Sequence, residues 1–146
     1  MANSKEKIEE FVRASGSDAI PRMARMLLVD KSITNIDIKD SIGWTALYYQ
    51  AYYGTTGNMA WLLTQDPPAY IDLLGPIQQT PLMNAARSGT DSEGKVRLLI
   101  EYGANRDLQK KFEDGTSWTA LSIARLYNMP AAVIDLLENY RPDVSR

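Results

Sequence analysis

Three segments of the 146-residue chain repeat one local pattern, and this periodicity is the strongest constraint on its fold. The first runs Gly43-Trp44-Thr45-Ala46-Leu47, then Gln50-Ala51 and Gly54. The second runs Gln79-Thr80-Pro81-Leu82, then Ala85-Ala86 and Gly89. The third runs Trp118-Thr119-Ala120-Leu121, then Ala124. Each is followed by two large aliphatics: Leu62-Leu63, Leu99-Ile100 and Leu136-Leu137. The threonines stand at 45, 80 and 119, so 35 and then 39 residues apart. Self-similarity at this period indicates helix pairs stacked in an array.

Local chemistry accounts for each conserved feature of the pattern. A threonine before an apolar run serves as N-cap, its hydroxyl accepting from a free N–H of the first turn. Pro81 suits the first helical position, where a missing N–H costs little. Leu47, Leu82 and Leu121 begin the buried stripe, and the alanines allow a neighbouring helix to come close. Gly54 and Gly89 are expected at inter-helix turns with positive φ. Met59-Leu62-Leu63, Val96-Leu99-Ile100 and Val133-Leu136-Leu137 follow i, i+3, i+4 spacing and predict a second helix per unit.

These residues together resemble the ankyrin repeat. The closest stretches are Thr80-Pro81-Leu82-Met83-Asn84-Ala85-Ala86-Arg87-Ser88-Gly89 and Leu98-Leu99-Ile100-Glu101-Tyr102-Gly103-Ala104. The resemblance implies an all-α fold, a solenoid of helix-turn-helix pairs joined by β-hairpin-like loops. It divides a single domain into repeats over 39–74, 75–112 and 113–141. Residues 4–38 read as a degenerate N-terminal cap, with helices Lys5–Ala14 and Asp18–Lys31 around Ser15-Gly16-Ser17. An end unit shows one face to water, so its sequence drifts from the interior type. The sequence departs from the family pattern in places. Tyr48, Met83 and Ser122 replace the family's histidine after the capping threonine, and Gln78 replaces a turn glycine. Extra residues fall near Gln65–Pro68, in Gly89–Gly94 and in Leu108–Gly115.

Composition excludes several function classes. The chain has no Cys and no His, which removes thiolate chemistry, the usual general base and the usual metal ligand. No nucleophile–base pair or metal-loop spacing is visible, so neither an enzyme nor a cofactor is expected. The formal net charge is −2, with only Lys39 and Arg87 against five aspartates in residues 32–92. That balance argues against nucleic acid and anionic membrane as partners. Gly54-Thr55-Thr56-Gly57 lacks the Lys and the strand of a phosphate loop. No apolar run approaches the ~20 residues of a membrane span, and the start has no apolar signal core, so a cytoplasmic protein is expected.

Stacked repeats of this type make a shallow groove from hairpin tips and first helices. Repeat alignment puts Lys39, Ser41, Ile42, Trp44, Pro76, Ile77, Gln79, Thr116 and Trp118 on the tips. It puts Tyr48, Tyr52, Tyr53, Met83, Arg87, Ser88, Ser122 and Tyr127 on the facing helices. Leu47, Tyr49 and Trp61 are assigned to the core. Aromatics and Arg dominate interface energetics. The expected partner site is therefore Trp44, Tyr48, Tyr52, Tyr53, Gln79, Met83, Arg87, Trp118 and Tyr127. The expected function is capture of a protein partner by a monomer, as adaptor or stoichiometric inhibitor. The alternatives are packing of Trp44 and Trp118 along the hairpins alone, or self-association through the exposed aromatics.

Overall fold

The computed structural model describes residues 4–142. Among them the chain forms α1 (Ser4–Val12), α2 (Ala19–Ala24), α3 (Ala46–Tyr53), α4 (Thr56–Leu63), α5 (Pro81–Ala86), α6 (Ser92–Glu101), α7 (Ala120–Leu126) and α8 (Ala131–Asn139). A π turn, Arg25–Val29, continues α2, and a 3-10 turn spans Pro76–Gln78. The one strand pair among the described residues is β1 (Lys110–Lys111) with β2 (Ser117–Trp118), antiparallel. The protein is thus mainly helical.

The helices form two layers. In one, α1 packs on α3, α3 on α5 and α5 on α7; in the other, α2 packs on α4, α4 on α6 and α6 on α8. Successive helices cross between layers as pairs: α3 with α4, α5 with α6, α7 with α8. The sequence dictates where the first-layer helices start. The hydroxyls of Thr45, Thr80 and Thr119 accept from the N–H of Tyr48, Met83 and Ser122, each at 3.2 Å. Thr55 caps α4 in the same way, and Asp91 caps α6. Ala51, Ala85, Ala86 and Ala124 are sealed between the first-layer helices, and Met59, Leu62, Val96, Leu99, Val133 and Leu137 fill the space between layers.

Polar side chains tie each unit to the next. Gln50 Nε2 donates to the Ala14 carbonyl (2.6 Å), and Asn84 Nδ2 donates to the Tyr48 carbonyl (2.9 Å). On the loops, Asp37 Oδ1 accepts from the Tyr70 N–H and Asp72 Oδ1 from the Asn105 N–H, both across 33 residues. Lys95 is a further such tie, with no exposed surface. Its Nζ donates to the carbonyl of Tyr52 (3.2 Å) and to the hydroxyls of Ser88 (3.1 Å) and Thr90 (2.8 Å). Burial away from water lowers its pKa to about 8, partly offset by the charge of Asp91.

Several expectations need correction. Gly54 and Gly89 do not have positive φ; that conformation occurs at Gly16, Gly43, Gly103 and Gly115, and at Gln78 where a glycine was expected. Gly54 serves close packing, since a Cβ there would overlap Gln50 Oε1. The first cap helix ends at Val12, earlier than Ala14, and the second becomes the π turn after Ala24 and stops at Val29, so Leu28 faces solvent. Hairpin-like tips have strand pairing only at β1–β2 among the described residues. The other two close through isolated backbone bonds, Asp40 N–H to Trp44 O with Gly43 N–H to Asp40 O in one, and Gly75 N–H to Gln79 O in the other.

Two measurements check this packing. A Cβ on Gly75 would stand 2.7 Å from the Tyr48 ring, whereas one on Gly89 meets nothing. Urea unfolding is expected to show Gly75→Ala losing about 1–3 kcal/mol, with Gly89→Ala unchanged or slightly stabilised. For Lys95, the folded form gives up its proton near pH 8 while an unfolded lysine holds it to about 10.4. Stability supplied by this group therefore rises with pH between about 8 and about 10.4, by up to about 1.4 kcal/mol per unit. Lys95→Met removes that rise; a wild-type slope no steeper than the variant's contradicts it.

Candidate functional site

The residues expected to face the groove separate into two sets. Tyr48 and Met83 are 1% exposed, and Gln79 is 8% exposed. Ser88, another helix position expected in the groove, is also buried. The reason is local for two of them: the residue third after Thr45 and after Thr80 turns inward, whereas Ser122, third after Thr119, is half-buried. Tyr48 goes under Gly75, whose lack of a side chain admits the ring. Burial raises the pKa of its hydroxyl, against the opposing charge of and hydrogen bond to Arg87. Gln79 lies between the Trp44 and Trp118 positions of its neighbours, but its side chain is enclosed and Oε1 has no hydrogen-bond partner.

The other set is accessible. Tyr53 is 60% and Tyr127 52% exposed, while Trp44, Tyr52, Arg87 and Trp118 are half-buried. Of the residues assigned to the core, Leu47 is sealed, whereas Tyr49 and Trp61 are half-buried.

Trp44 is held by its backbone, which donates to Asp40 Oδ1 at 2.9 Å. The same carboxylate accepts from the Ile42 N–H and pairs with Arg13 at 3.2 Å. The Trp44 ring meets the edge of Tyr48 at 4.9 Å and stacks on Tyr53 at 5.8 Å, with 20° between planes. Tyr49 touches Tyr53 at 5.2 Å, and Tyr52 meets Tyr53 edge-on at 4.6 Å. The Arg87 guanidinium then lies over the Tyr52 ring, 4.6 Å from its centre, and donates to Asn84 Oδ1. The tandem Tyr48-Tyr49-Gln50-Ala51-Tyr52-Tyr53 on one short helix produces this cluster, because residues three and four apart share a face. Stacked and edge-on rings have few rotamers left, so they present a rigid apolar surface with hydroxyl tips.

Two clefts continue this flank. One, of about 530 Å³, is bordered by Arg87, Ser88, Asp91, Tyr127, Met129, Pro130 and Val133 among others. The second, of about 800 Å³, lies between β1–β2 and α7 and is walled by Phe112, Trp118, Ile123, Leu126 and Tyr127. Tyr127 borders both. Trp118 meets Phe112 edge-on at 6.1 Å, and Lys110 Nζ lies over the same Phe112 ring while donating to the Ile77 carbonyl. Phe112 and Leu126 were not identified from sequence. Phe112 lies in the extra stretch Leu108–Gly115, outside the repeat alignment. Leu126, 58% exposed, precedes Tyr127 on α7 and reads as core by its type alone.

The flank offers aromatic faces, hydroxyls, one guanidinium and apolar hollows. Among the described residues no helix is long and apolar enough to cross a membrane. Among them, too, no three His, Asp or Glu side chains gather as a metal site would require.

No family model matches the chain. Among curated proteins, the chain is similar to the SMC5-SMC6 complex localization factor protein 1 of Bos taurus, with 32% identity over 104 residues. That stretch takes in 70% of this chain and 9% of the bovine protein, so the likeness is to one segment of a much longer molecule.

Proposed function

We propose that the chain is an ankyrin-type repeat array that binds a protein partner along the flank running from Trp44 to Trp118. Its units are the helix pairs α3–α4, α5–α6 and α7–α8, with α1 and α2 as the cap. The array has no catalytic step; it acts by occupancy, as an adaptor or a stoichiometric inhibitor. The observation that carries this reading is the accessible aromatic band of Trp44, Tyr52 and Tyr53 beside Arg87, continuous in type with Tyr127 and Trp118. Large side chains with little entropy left to lose, next to a guanidinium, are the composition of interface hot spots. The threonine caps, the period and the alternating layers support the repeat assignment. The bovine relative is named as a localization factor for a complex, and a segment that brings proteins together fits such a protein.

Affinity capture from the native source tests the site, with wild type compared against Trp44→Ala/Tyr53→Ala. Each true anchor is expected to cost about 2 kcal/mol of binding or more. A double variant that keeps its helical circular dichroism and still retains every partner refutes the placement.

A further inference from the structure

The larger cleft, between β1–β2 and α7, brings two unspent features to one place. The first is apolar surface. Phe112, Leu126 and Tyr127 are all exposed, and with Trp118 and Ile123 they surround a single hollow. Apolar exposure gathered in this way marks an interaction site, whereas single scattered residues do not. The second feature is a polar atom. Gln79 lines the same cleft and is 8% exposed, and its Oε1 is enclosed with no hydrogen-bond partner. A carbonyl oxygen held away from water without a donor is costly, and the cost ends when a donor arrives. The terminal torsion of a glutamine is broad, so the carboxamide can turn its oxygen toward the hollow without strain.

The charges lining this cleft cancel. They are Lys110 and Asp114. Lys110 Nζ lies over the Phe112 ring and donates to the Ile77 carbonyl. Asp114 Oδ1 accepts from the N–H of Thr116 at 2.9 Å and from its hydroxyl at 2.7 Å. Both charges are thus engaged, and neither sign of occupant is favoured. An ion entering between Trp118 and Leu126 would lose water and meet no free counter-charge. The occupant that complements this lining is uncharged, apolar in bulk, and carries one donor for Gln79. A peptide segment has both parts, because every residue except proline places an N–H beside its side chain. Tyr127 also borders the smaller cleft, so the surface continues along the flank and suits a chain that runs on past the hollow.

We propose that the cleft between β1–β2 and α7 takes an uncharged peptide segment: a large apolar side chain fills the hollow between Trp118 and Leu126, and a main-chain N–H beside it donates to Gln79 Oε1. This rests on the reading of the chain as an interaction module and specifies what that module accepts. The side chain supplies the packing, and the bond to Gln79 fixes the position of the backbone next to it.

A displayed library of random peptides, selected in parallel on the full wild-type chain and on Leu126→Asp, tests the proposal. Enriched wild-type binders are expected to carry Leu, Met, Phe or Trp among uncharged neighbours. They are expected to bind Leu126→Asp about tenfold more weakly or worse, by fluorescence anisotropy. Each N–H around that anchor is then replaced in turn by an ester oxygen. At one position this is expected to weaken binding to wild type about tenfold, and binding to Gln79→Met to be insensitive to the same replacement. The ester peptides are measured on the unaltered protein, so that result does not depend on how well a variant folds. Peptides that bind Leu126→Asp as tightly as wild type, or that tolerate an ester at every position, overturn the proposal and leave the interaction module standing. A dimer in sedimentation that Leu126→Asp dissolves gives the hollow to a second copy of the chain and overturns it too. Enrichment of no peptide at all counts against both readings.

Discussion

The close approach of α3, α5 and α7 is the condition on which the remaining structure rests. It exists because Ala51, Ala85, Ala86 and Ala124 leave almost no side-chain volume between the helices. At that separation the carbonyls of Tyr48 and Tyr52 come within reach of the next unit, and Asn84, Ser88 and Lys95 bond to them. Buried amide and ammonium groups are costly unless paired, so these bonds fix the register of one helix against the next. Apolar packing alone would allow sliding. The aromatic face of α3 meets Arg87, which ends α5, because this register is held.

Much of the helical architecture is legible in the residues. The capping threonines, Pro81 and the Leu-Leu pairs mark where helices start and which stripe they bury, since both follow from backbone chemistry and period. Side-chain direction at single positions is less legible. Tyr48 and Met83 read as groove residues by alignment with an exposed position. In three dimensions the space beside Gly75 draws the Tyr48 ring inside. That contact joins residues 27 positions apart and leaves no trace in local spacing. Lys95 is a similar case. It shares a helix face with Leu99, but its charge marks it as exposed, and only the convergence of Tyr52, Ser88 and Thr90 makes its burial tolerable.

The candidate site was legible in its aromatic part and hidden in its hollows. The run of tyrosines on α3 announces an unusual surface by composition. The larger cleft arises from the extra residues at Leu108–Gly115, which lengthen one tip and carry Phe112 out beside Trp118. Insertions lie outside the repeat, so the period contains no information about them. The electrostatic character is hidden for a related reason. A charge count over residues 32–92 is negative, yet Asp37, Asp40 and Asp72 are occupied by backbone N–H groups, with Asp40 also paired to Arg13. On the flank Arg87 borders the smaller cleft together with Asp91 and Glu93.

The layering also decides where the molecule loosens first. Each helix pair leans chiefly on those beside it, so an inner pair has support on two sides and an outer pair on one. Among the described residues α7 and α8 form such an outer pair, and the hollow between Trp118 and Tyr127 opens on it. A segment bound in that hollow would add a further support to the pair. Occupancy and rigidity of this end are therefore linked: fraying that empties the hollow and ligand that fills it draw on the same equilibrium.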